Sequence, residues 1–130
     1  MVIDTSALLA VLLGEPTRPA LIAATKGAVL VGAPSLPWEV GNALVAGVRG
    51  RQLSSGAAQK AWGSYAQVPV RLADIDTARA LELALALRLY AYDAYVLEAA
   101  RAARLSLLTL DRALVRAARE IGVSLVEWES

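Results

Sequence analysis

An α/β sandwich, with helices on both faces of a mostly parallel central sheet, is the fold class this sequence predicts. Three observations carry the prediction. Short apolar runs alternate along the chain with amphipathic helical stretches. Two of those runs, near Ile3 and near Leu110, deliver an aspartate (Asp4, Asp111) where a helix then begins. The length of 130 residues suits one domain spanning 1–130, and no linker, repeat or low-complexity segment divides it.

The elements follow in order. Met1-Val2-Ile3 reads as a strand ending in Asp4, and a helix is expected from Ala7 to Leu13 before Gly14-Glu15-Pro16 breaks it. Pro19 opens a short second helix that Lys26-Gly27 closes, and Ala28 to Ala33 is apolar on both sides, as a buried parallel strand requires. Pro34-Ser35-Leu36-Pro37 reads as a turn, so the third helix is expected from Trp38, ending near Gly47 to Gly50. Ser54 starts a fourth helix to about Gln67, Val68 to Leu72 is a third strand, and Asp76 or Thr77 caps a fifth helix. A sixth helix is expected from Asp93 to Arg104, followed by a strand over Leu105–Leu110 that delivers Asp111. The helix from Arg112 carries an apolar stripe (Leu114, Val115, Ala118, Ile121) and a basic one (Arg112, Arg116, Arg119), and Gly122 stops it before a last strand, Val123–Val126.

Composition narrows the chemistry. Cysteine and histidine are both absent. That excludes disulfides, thiol catalysis, a histidine base and ordinary zinc or haem sites, leaving carboxylates, hydroxyls, amides and arginines. Such hard oxygen ligands suit Mg²⁺ or Mn²⁺. Hydrophobic residues reach 57%, an excess compatible with closely packed helices and an oligomer. Charged residues interrupt every candidate membrane span, and the apolar start has no basic leader, so a soluble cytoplasmic protein is expected. The net charge of +1 announces no nucleic-acid partner, and any such contact must be local. The 11 arginines against 2 lysines suit bidentate phosphate contacts, though a GC-rich genome produces the same bias.

Four acids share one kind of position: Asp4 and Asp111 after strands, Glu39 and Asp93 in first helical turns. In an open parallel sheet such positions converge at the carboxyl ends of the strands. Each converging pair at ~6 Å would repel by about 3 kcal/mol at an effective dielectric of ~20. One or two divalent cations would resolve that repulsion and activate water for phosphodiester hydrolysis. Thr5, Ser6 and Thr109 are placed to hydrogen-bond the carboxylates, as is Asn42, three residues beyond Glu39 on the same helix face. Arg112 and Arg116 are candidate phosphate contacts, although an exposed basic face is the commoner role of such a stripe. Each acid taken singly is equally well explained as a helix cap or a partner of the helix dipole. Asp74 and Asp76 read as turn and cap, Glu82, Glu98 and Glu120 as solvated helix positions, and Glu127 and Glu129 as tail. Trp38, Trp62 and Trp128 read as packing residues, with Trp62 also able to mark a partner groove.

With these residues in view the chain resembles the PIN-domain family, and within it the VapC-type toxins of toxin–antitoxin pairs. The resemblance rests on Val2-Ile3-Asp4-Thr5-Ser6-Ala7-Leu8, Glu39-Val40-Gly41-Asn42-Ala43-Leu44, Tyr92-Asp93-Ala94-Tyr95-Val96-Leu97-Glu98-Ala99-Ala100 and Leu107-Leu108-Thr109-Leu110-Asp111-Arg112-Ala113-Leu114, in the family's order across nearly the whole chain. It implies a Mg²⁺- or Mn²⁺-dependent endoribonuclease whose catalytic and metal-binding quartet falls on Asp4, Glu39, Asp93 and Asp111. It also implies an RNA substrate, a small inhibitory antitoxin docked near the site, and a homodimer. Two further readings compete. A non-catalytic interaction module would use these acids only as caps, and a haloacid-dehalogenase-type phosphatase would need an aspartate where Ser6 stands.

Overall fold

The computed structural model describes residues 1–128, so Glu129, expected as part of a polar tail, lies outside the described residues. Four strands, β1 (Val2–Ile3), β2 (Leu30–Gly32), β3 (Val70–Leu72) and β4 (Leu107–Leu108), form a wholly parallel sheet in the order β3-β2-β1-β4. Seven helices alternate with them among the described residues: α1 (Thr5–Leu12), α2 (Arg18–Thr25), α3 (Leu36–Arg49), α4 (Ser55–Ala66), α5 (Thr77–Leu87), α6 (Ala91–Ala103) and α7 (Arg112–Ile121).

β1 is the centre of the sheet, with Val2 paired to Val31 on one side and Leu107 on the other. Successive strand residues point to opposite faces, and the core divides accordingly. Val2, Val31 and Leu107 join Val96, Leu97 and Ala100 of α6 and Leu114 and Ala118 of α7 on one face. Ile3 and Leu108 join Ala7, Leu8, Leu21, Leu36, Val40, Leu44 and Ala61, from α1 to α4, on the other. The helix α5 packs outside α6 through small residues, Ala80 and Ala84 against Ala94. The α/β/α sandwich with a parallel sheet is therefore the observed fold.

Strand order decides where a site lies. From β1 the chain builds outward through β2 and β3, then returns to place β4 on β1's other side. The direction of winding reverses between β1 and β4, and a crevice opens outside their carboxyl ends. Asp4 stands at the end of β1, directly beside that crevice.

Several element bounds differ from expectation, each for a physical reason. α1 starts at Thr5 because Asp4 itself is the cap, its side chain accepting from the Ala7 N–H. α3 starts at Leu36, since Pro37 falls in the first turn, where an N–H has no helical partner to lose. It also passes through Gly47 to Arg49. A Cβ at Gly47 would come within 2.8 Å of Leu53 Cδ1, so the glycine lets the α3–α4 connection close over the helix. The sixth helix begins at Ala91, two residues earlier than expected. β2 and β3 are shorter than the apolar runs that contain them, and Pro69 cannot donate to a ladder. β4 is only Leu107–Leu108, because beyond it the Leu110 and Asp111 N–H groups turn to the Ser6 and Thr109 hydroxyls. The last expected strand, Val123–Val126, reduces to one parallel bridge between Leu107 and Leu125. The two-residue β4 offers it no longer edge to follow.

Candidate active site

Asp4 is 5% exposed and is held on every side. Its Oδ1 accepts from the Ser6 hydroxyl at 2.7 Å and the Ala7 N–H at 3.0 Å, while Oδ2 accepts from the Thr109 hydroxyl. Each hydroxyl also receives a backbone proton from the β4–α7 connection. Leu110 N–H donates to Ser6 Oγ at 3.0 Å and Asp111 N–H to Thr109 Oγ1 at 3.0 Å. Two hydroxyls thus relay between the loop that follows β4 and the carboxylate that ends β1. Burial nevertheless pushes the Asp4 carboxyl up from its ordinary pKa, with the Asp111 charge adding to the rise and the Thr109, Ala7 and Ser6 hydrogen bonds opposing it.

Glu39 and Asp93 occupy the first turns of α3 and α6, half-buried at the same crevice. Burial raises Glu39, and the charges of Asp93 and Asp4 raise it further, against the hydrogen bond that Ser35 Oγ donates to Oε2 at 2.7 Å. Burial likewise raises Asp93, and Asp111 and Asp4 add to it. Asp111 caps α7, its Oδ1 accepting from Ala113 N–H at 2.8 Å and Leu114 N–H at 3.3 Å. Capping is therefore real for Asp4 and Asp111, but it does not account for Glu39 or Asp93. Nor does it account for the mutual repulsion that links all four.

The side chains expected to orient the carboxylates divide. Ser6 and Thr109 hold Asp4, as described. Thr5 Oγ1 is buried without a partner among the described residues. It lies close enough to Glu39 to lower that carboxyl's pKa by the smallest of the influences on it, but outside hydrogen-bond geometry. We read it as a polar neighbour rather than a formed bond. Asn42 is exposed and makes no side-chain hydrogen bond among the described residues. Ser35, expected only as part of a turn, was the missed partner, and its position four residues before Glu39 is the signal that would have found it. Arg112 lines a cavity of about 810 Å³ with Arg119, Thr109 and Thr17, whereas Arg116 does not reach it.

Other expectations need correction. Glu98 is not solvated: it is 1% exposed and forms a two-pronged ion pair with Arg101, one contact being Arg101 Nη2 to Oε2 at 2.8 Å. The fork geometry of the guanidinium makes that burial tolerable. Trp38 is not a packing residue, being 72% exposed beside Glu39. Trp62 is half-exposed and stacks obliquely on Tyr65, and Trp128 packs against the core on the face of Ile3 and Leu108. Asp76 is the cap of α5, as expected.

Among the described residues no three acids close on one point as metal ligands would. Both oxygens of Asp4 and one of Asp111 are turned to the protein's own donors. The chemistry of the donor set still fits a hard divalent cation. It is all oxygen, three of its carboxyls are raised by burial and mutual charge, and a cation there would relieve both.

Comparison with known proteins agrees with the fold. The model of the PIN domain matches residues 1–120. Among solved structures the chain is similar to PAE2754 from Pyrobaculum aerophilum, with 26% identity and a TM-score of 0.70 over 89% of this chain and 82% of that one. No curated protein matches. The chain belongs to the PIN-domain family, whose members are in general metal-dependent nucleases. No helix among the described residues is long and apolar enough to cross a membrane.

Proposed function

We propose that this protein is a Mg²⁺- or Mn²⁺-dependent endoribonuclease, the toxin of a VapBC-type pair, with Asp4, Glu39, Asp93 and Asp111 as its metal-holding and catalytic carboxylates. The observation that carries the reading is the shared electrostatics of the crevice. Asp4, Glu39 and Asp93 are each raised by burial and by another acid of the same quartet, an arrangement that costs stability unless a cation uses it.

A bound divalent ion would supply charge neutralisation at the scissile phosphate and a water of lowered pKa. The chain's own residues prepare for that chemistry in distinct ways. Ser6 and Thr109 fix Asp4 so that it cannot swing away from the crevice. Ser35 steers Glu39 from the preceding turn. Asp93 accepts no hydrogen bond among the described residues, so it is the acid with most freedom to accept a proton from the attacking water. Arg112, at the start of α7 and next to Asp111, supports a contact to an adjacent backbone phosphate.

An antitoxin partner is supported by an apolar surface cavity of about 620 Å³ between α3 and α4, where Val45 and Trp62 are half-exposed beside Leu44 and Ala58. A homodimer remains part of the proposal, by family resemblance and by the apolar excess of the sequence. Single-stranded and structured RNA incubated with Mn²⁺, Mg²⁺ or EDTA tests the enzyme reading directly. Cleavage is expected only with metal, and Asp93→Asn should lower its rate by about 100-fold or more, the scale of losing a positioned proton acceptor. Full cleavage by that variant would overturn the assignment.

A further inference from the structure

Resting on the nuclease reading above, we propose that the cleft between Trp38, Tyr92 and Tyr95 is a stacking subsite for one unpaired nucleobase of the RNA, beside the bond that is cut. Two acids of the quartet are each preceded in sequence by an exposed aromatic ring, Glu39 by Trp38 and Asp93 by Tyr92, which are 72% and 54% exposed. The rings come from different helices, α3 and α6, yet they line one cleft of about 290 Å³ with Ser35, Ile75 and Tyr95. Tyr95 meets Tyr92 edge to face, with centroids 5.7 Å apart at 88°, and so braces the second ring.

The cleft is linked to the acidic crevice through one shared residue. Ser35, on its wall, is the residue whose hydroxyl holds Glu39. The volume is below that of a pocket for an elaborated small molecule and leaves room for a single planar group. An indole and a phenol exposed at the mouth of an acidic site leave water in contact with large apolar faces. A base that slides against them removes that contact and gains stacking as well. Every base has a π-face, so the subsite selects unpaired strands rather than a sequence. A base seated there also fixes the neighbouring phosphodiester relative to Glu39 and Asp93. These rings bind and position substrate.

The test uses single-stranded RNA carrying 2-aminopurine on either side of the cut, mixed with the full chain in Mg²⁺ and read before cleavage begins. Stacking quenches the probe at one of the two positions. Trp38→Ala and Tyr92→Ala should abolish the quench and raise KM by about 10- to 100-fold while kcat changes little, and Trp38→Phe should restore most of both. Both side chains are exposed, so their melting temperatures should stay near that of the parent. Quenching that depends on Trp38 without any cleavage would support the subsite and remove the nuclease reading. Cleavage with KM and quenching indifferent to both rings would remove the subsite and leave the nuclease. Absence of quenching by the parent chain overturns the proposal.

Discussion

At the residue scale the crevice stores unfavourable charge. Asp93 is raised by burial first and by Asp111 and Asp4 second, so the folded chain binds its proton more tightly than the unfolded chain does. Between the ordinary aspartate range and the raised folded value, stability therefore increases as pH falls, and at neutral pH the ionised group is a net cost. Asp93→Asn should raise the metal-free melting temperature at pH 7 by roughly 3 °C, because the site is half-exposed and screened. The difference from the parent should shrink as pH drops through the raised value, where the parent's Asp93 becomes uncharged like the asparagine. Melting curves from pH 4 to 8 in EDTA check this, and a constant difference across that range would contradict it. The places of the four acids, each at a strand end or in a first helical turn, were legible in the sequence. Glu98 was not, since nothing in a helical pattern of alanines tells which acid an arginine three residues on will draw inward.

At the element scale α7 is the most informative. Its buried face is Leu114, Ala117 and Ala118, and its exposed arginines are not equivalent. Arg112 and Arg119, seven residues apart and so two turns along one face, line the same cavity, while Arg116 points away from it. Arg112→Ala and Arg119→Ala should each weaken RNA binding several-fold and lower the slope of log K against log salt by about 0.7, the single-strand value for one phosphate contact. Arg116→Ala should change neither measurably. Equal effects from all three would mean a diffuse basic face instead of a track. Element type was read correctly from periodicity except at Val123–Val126, which is a single bridge, whereas bounds slipped where a side chain took over a backbone group's hydrogen bond or where prolines opened an element. The strand at Leu105–Leu110 was overextended for that reason, and the helix at Leu36 was started late because two prolines resemble a turn before they resemble a first helical turn.

At the scale of the whole molecule the link between β1 and β4 is the feature on which the rest depends. The Thr109 hydroxyl serves Asp4 and receives the Asp111 N–H, two bonds that a valine of the same shape cannot make. Thr109→Val should therefore cost about 1–3 kcal/mol, read as a lower denaturant midpoint with an unchanged slope, and Thr109→Ser should recover most of it. An unchanged midpoint for Thr109→Val would show the bonds to be incidental. The parallel sheet and its two-faced core were readable from alternation and run length. The pairing of Ser6 and Thr109 across about a hundred residues was not, because local pattern carries no record of which distant hydroxyl a carboxylate will meet. That pairing also sets a timetable for synthesis. Asp4 and Glu39 leave the ribosome early, whereas Asp93 follows with the first turn of α6, and Thr109 and Asp111 only after α6 is complete. A chain translated no further than α5 thus carries two of the four acids and lacks the Thr109 hydrogen bond that holds Asp4, so the crevice is assembled only once β4 has docked beside β1.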